Sequence, residues 1–178
     1  MIDKRELILV RLFTLLGEQP GIKTVYRNGS QLTEAEKPGA VLLDGTEEIL
    51  TSPARRSIVQ MPPAEFVLHP QIFVVLPMAD NITTNLNVTV LGVPHAATEV
   101  GGQMMSPLGP LISQYRAAMI SAILNDQSLV ALVGANGQII YERMETDMQT
   151  GSTVGALGAT VMFQFALTYV LNPSQLSQ

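Results

Sequence analysis

Residues Ala156 to Leu171 read ALGATVMFQFALTYVL, and nothing from Met148 onward is charged. Val161, Phe163, Phe165, Leu167, Tyr169 and Leu171 fall on one parity, while Thr160, Gln164, Ala166 and Thr168 fall on the other. Side chains alternate across a strand, so this is the period of a long β-strand with one strongly apolar face. A run of this length without charge also suits a membrane helix. Thr160, Gln164, Thr168, a glycine at position 158 and the lack of flanking Lys or Arg argue against that. The stretch is expected to be a final strand that closes a sheet.

Working outward, the 178 residues fit one domain, and 47% hydrophobic content is enough to bury a sizeable core. Trp is absent and aromatics are few, so that core rests on Leu, Ile, Val, Ala and nine Met. With no Cys, disulfide frameworks and thiol chemistry are excluded, which fits a reducing cytoplasm. The opening Met1 to Glu6 mixes both charge signs and lacks the basic region of a secretory signal. Fifteen acidic against ten basic residues give a net charge of −5, and the basic residues cluster only as Lys4-Arg5 and Arg55-Arg56. A nucleic-acid groove needs grouped Lys and Arg to displace counterions, so tight DNA binding is not expected. An acidic surface instead suits a protein that DNA slides past.

Asp3 and Glu6 have the spacing of a capping box, with Ile2 and Leu7 as the staple pair, so a helix starts here and stops at Gly17. Arg11 is the only charge from Leu7 to Leu16, which predicts a helix covered on more than one face. Residues 22–27 and 40–43 read as strands. From Asp44 to Pro63 the chain is polar and proline-broken and is expected to be a long loop. Glu65 to Leu76 is extended, and Pro70 within it predicts a bulge or an edge position. A strand over 87–93 precedes a Gly- and Pro-rich loop at 92–110. Ser106 and Pro107 then open a helix with Leu111, Tyr115, Ala118, Met119, Ala122 and Ile123 on one face, ending near Asn125-Asp126. Leu129 to Val133 is a possible extension. Asn136-Gly137 turns into a strand over 138–143, and polar residues 145–153 lead to the last strand. The order predicts one α+β domain over 1–178, a mainly antiparallel sheet with an N-terminal helix and one later helix packed against it.

Candidate chemistry is sparse. His69 and His95 each lie beside a proline without a second ligand at a metal-binding interval, so structural or surface roles are expected for both. Neither glycine-containing stretch, 98–102 nor 151–158, has the lysine of a phosphate cradle. Glu47-Glu48, and Glu142 with Glu145 and Asp147, have the spacing of paired carboxylates but fit a solvated surface better. No catalytic residue, metal site or cofactor is expected. The complementary pairs Glu47-Glu48 and Arg55-Arg56 make the 44–63 loop the candidate contact with a neighbouring subunit or another protein.

The order of elements resembles the tail terminator, or tail completion, proteins of long-tailed bacteriophages. The resemblance is carried by the opening helix leading to Gly21 through Arg27, by Pro38 through Gly45, by Phe66 through Leu76, by the helix with Arg116-Ala117-Ala118 and Ala122 through Asp126, by Gly137 through Tyr141, and by the closing strand Met162 through Tyr169. It implies a non-enzymatic virion protein at the tail-neck junction, assembled in the host cytoplasm. Such proteins form a ring, a hexamer, that caps the tail tube, stops its polymerisation and joins the tail to the head-side connector or stopper. The implied partners are further copies of the chain, the tail tube protein and that connector, with DNA crossing the lumen without sequence-specific binding and no membrane involved. The alternatives are a head-completion or stopper protein of the same neck, and a small non-viral enzyme.

Overall fold

A computed structural model describes residues 3–29, 31–51, 64–80, 88–90, 93–95, 98–100, 103–105, 108–150 and 156–171. Helix α1, Lys4–Gly17, begins at Asp3, whose extended backbone and side chain cap the Arg5 amide. Glu6 does not reach back to complete the box: its carboxylate is taken by Arg27, a stronger charged partner. Ile8, Leu9, Leu12, Leu15 and Leu16 are buried, worth on the order of 10 kcal/mol of gross hydrophobic stabilisation. The sheet lies beneath this face, and Arg11 holds the helix to a later one through Asp126. Leu7 and Val10 remain exposed, so part of the apolar circumference has no cover among the described residues.

Strand β1, Thr24–Arg27, lies parallel to β2, Gly39–Thr51; β2 pairs antiparallel with β3, Ala64–Asp80. The expected loop at 44–63 therefore starts later, because polar residues 44–51 are held as strand by their ladder with β3. Residues 52–63 lie outside the described ones. The strand expected over 87–93 is represented by β4, Val88–Val90, paired with β5, Val93–His95; within the expected 92–110 loop, β5 itself and β6, Thr98–Val100, paired with β7, Gln103–Met105, are short strands instead.

Helix α2, Leu108–Asn125, buries Leu108, Leu111, Tyr115, Met119 and Ile123, the face its spacing predicts. The chain then breaks rather than extending α2, since Asp126 caps a separate helix, α3, Gln127–Val133, by accepting from the Leu129 amide at 2.7 Å. Two later helices thus stand where one was expected. Strand β8, Gln138–Thr150, carries the polar 145–150 stretch as strand, and β9, Ala156–Leu171, completes an α+β fold.

The main sheet runs β1-β2-β3-β9-β8 and is antiparallel except for its first pair. The last strand does not close an edge: β9 lies inside the sheet, bonded to β3 and β8. Met162 and Ala166 on its second face are also nearly inaccessible, with the side chains of β3 and β8 on either side of them. Val161, Phe163, Phe165, Leu167 and Tyr169 join Ala40, Leu42, Leu68, Ile72, Val74 and Leu76 and the three helices in one core. Among the described residues no helix is long and apolar enough to cross a membrane.

Candidate functional site

Pro70 organises the sheet face opposite the helices. It has no amide hydrogen to give to a neighbouring strand, and the ladder detours around it. On β2, Asp44 and Gly45 together stand opposite this one residue, between the pairs Leu43↔Gln71 and Thr46↔His69. Gly45 has φ +72°, and a Cβ there would sit 1.8 Å from the His69 carbonyl oxygen, so only glycine fits the detour. Both sequence alternatives for Pro70 thus resolve to the bulge, in an interior strand. A second irregularity lies across the sheet, where Glu142 is the extra residue between Tyr141↔Phe165 and Arg143↔Gln164 on β8.

The two bulges gather a polar network on the open face. His69 Nδ1 lies 3.2 Å from a Glu142 carboxylate oxygen. Gln164 donates to the same oxygen at 2.9 Å and accepts from Arg143 Nε at 3.0 Å. A shallow depression of about 500 Å³ beside them is lined by Asn28, Gly45, Thr46, His69, Gln71 and Gln164, among others. A carboxylate that orients an imidazole is one half of a proton-transfer device, which also requires a nucleophile within hydrogen-bond reach. Thr46 supplies the one hydroxyl in this lining, and no hydrogen bond joins it to His69. Among the described residues no group of three or more His, Cys, Asp and Glu could hold a metal ion. The network's visible role is to tie β3, β9 and β8 together.

The bulge at Gly45 also decides where the candidate contact residues point. Beyond it, odd-numbered residues of β2 turn toward the helices. Glu47 consequently accepts a short hydrogen bond from the Tyr169 hydroxyl and lies 4.0 Å from Arg5 Nε. Burial and this carboxylate together push the Tyr169 hydroxyl well above the ordinary phenol range. Glu48 faces the other way and is exposed on the open side. Neighbours in sequence are thus on opposite faces and form no single acidic patch. Arg55 and Arg56 lie outside the described residues, as does Ser106-Pro107. The side chain of His95 is likewise outside them.

An ion-pair clamp that sequence spacing could not reveal joins α1, β1 and β2. Arg27 binds Glu6 at 2.5 and 2.7 Å and Asp44 at 2.7 and 2.9 Å, both bidentate. The guanidinium holds both carboxyls below the usual range, and its hydrogen bonds to Glu6 and Asp44, with their charges, raise Arg27 in turn. Arg5 adds a contact to Asp44 at 3.6 Å.

The open face itself is acidic. By register and alternation, Glu48, Glu65, Glu142, Glu145 and Asp147 project there against Arg143 as the basic partner. A scan of protein-family models gave no match, and no curated protein matched the sequence.

Proposed function

We propose that this chain is a structural, non-enzymatic protein of a bacteriophage neck, a tail terminator whose copies close into a hexameric ring on the end of the tail tube. The observation that supports this most is the inequality of the sheet's two faces. Three helices cover one, while the other has no helix on it among the described residues and carries carboxylates in excess. A wall of that kind, turned to a channel, repels phosphate and lets DNA pass without adhesion. Closed rings need two different surfaces on each subunit, and among the described residues two unlike ones lie open: the β2 edge beyond Leu42, where β1 no longer pairs, and the exposed apolar side of α1 at Leu7 and Val10. The tail tube protein and the head-side connector are the proposed neighbours on either side of the ring, in the virion at the tail-neck junction.

Negative-stain imaging with native mass measurement tests the proposal. A ring with a central hole, about six times the 19.2 kDa chain, is expected in solution or on purified tail tubes. A strict monomer in both settings would remove the basis for the ring.

A further inference from the structure

Strand β8 is the sheet's last strand, and among the described residues nothing pairs with its outer side from Gln138 to Thr150. Natural edges of this length are protected, commonly by bulges and charges. β8 has both, a bulge at Glu142 and outward carboxylates at Glu145 and Asp147. Protection of that kind is selective in sign: the carboxylates that keep two β8 edges apart would attract a strand of opposite charge.

Beside this edge the open face sinks into a depression of about 430 Å³. Its apolar surface comes from Phe73 and Met162, and Glu145 and Asp147 supply carboxylates among its polar walls. Arg143 also contributes to the lining, bound to Glu145 at 2.9 Å, whereas Asp147 has no ion pair among the described residues. An apolar patch with a carboxylate rim matches a long cationic side chain, whose methylenes lie on hydrocarbon while its head meets the acid. Exposed Ile140 and Met148 stand toward either end of the acidic stretch.

From these features we infer that the β8 edge is a docking site for an extended basic segment of a partner protein. The segment adds to the sheet as a sixth strand, with alternate apolar side chains and one Arg or Lys over Phe73 and Met162 against Asp147. Main-chain pairing supplies affinity in such strand addition, and the side-chain depression supplies specificity. The inference stands on this edge alone and does not require that copies form a ring.

The probe is a short peptide alternating valine and arginine, compared by calorimetry and amide NMR shifts with a peptide alternating valine and glutamate. A third peptide is the arginine version with its pairing amides N-methylated. The arginine peptide should bind and shift amides of 143–148, and the other two should not. Asp147→Asn should weaken binding on the order of threefold. Arg143→Gln, which frees Glu145, should strengthen it about twofold. Both positions are exposed, so a melting curve is expected to match that of the parent. The idea fails if the arginine peptide does not bind up to its solubility limit, if the glutamate or N-methylated peptide binds as well, or if Asp147→Asn has no effect.

Discussion

The two faces of the main sheet are built from alternate residues of the same strands, yet they differ in almost every physical respect. In β9, Phe163 and Phe165 are wholly buried beneath the helices. Gln164 between them faces the other way and bonds Glu142 and Arg143. One face holds the fold through the exclusion of water, and the other carries partly exposed polar groups bonded to one another. Burial is thus the measure of structural importance here, and an open polar face is where contacts with other molecules belong.

The sharpest way to break this contrast is to remove neighbours in sequence from opposite faces. Phe163→Ala is expected to destabilise the chain by about 3–5 kcal/mol, since it opens a cavity in the core. Gln164→Ala removes only partly exposed hydrogen bonds and should stay within about 1 kcal/mol. Urea unfolding of the two variants gives the comparison directly. Similar losses at both positions would mean that the open face carries stability too, and the division of labour would fall.

Gly45 lies where the faces exchange register. Gly45→Ala forces a methyl group onto the His69 carbonyl at a backbone angle that L-residues avoid, with an expected loss of about 3 kcal/mol. The effect should reach beyond stability, because Glu47 points to Tyr169 only while the bulge persists. Loss of the tie can be followed by the Tyr169 phenol: its titration, displaced upward in the native chain, should move back toward ordinary values in the variant. An unchanged titration together with unchanged stability would show that the bulge tolerates a side chain.

How far these features were legible in the sequence follows from the range of the interactions. Period and caps are local, so the buried face of β9, the Asp3 start of α1 and the apolar stripe of α2 could all be read. Pro70 announced a bulge because a missing amide hydrogen is a property of one residue. Strand order could not be read: β9 has the pattern of a closing strand and sits inside the sheet because β8 pairs with its far side. Polar residues 44–51 and 145–150 looked like loops, since they are held as strand by pairing with β3 and β9, which no pattern within the segments themselves records. The Arg27 clamp spans 21 and 17 residues to its two acids, and no spacing rule covers it. Glu47 and Glu48 formed a plausible patch on paper and were separated by strand alternation.

The clamp makes a pH prediction on the side of the sheet where α1 meets its edge. Glu6, Asp44 and Asp126 all have their carboxyls lowered, first by hydrogen bonds from an arginine. A carboxyl lowered on folding adds stability above its unfolded value and loses it as pH falls through the folded one. Stability should therefore decline below about pH 4. Arg27→Gln should cost about 1 kcal/mol near neutrality and flatten the acid limb of the curve. If parent and variant melt with the same difference at pH 7 and pH 2, the clamp is not the source of acid sensitivity.

The smallest effect is expected at a place where the covered face breaks its own rule. Tyr115 is wholly buried on α2, yet its hydroxyl has no hydrogen-bond partner among the described residues. Burial alone pushes its phenol up to about 12. A hydroxyl withdrawn from water without compensation is destabilising, whereas the ring fills core volume. Tyr115→Phe keeps the ring and deletes the oxygen, so stability should rise by about 0–1 kcal/mol. Tyr115→Leu deletes ring volume as well and should lose about 1–3 kcal/mol. The two substitutions separate polarity from packing at a single site. A Tyr115→Phe chain that melts earlier than the parent would mean that the hydroxyl is satisfied by water or by a residue outside the described ones, and that the helix-covered face tolerates polar atoms only when they are paired.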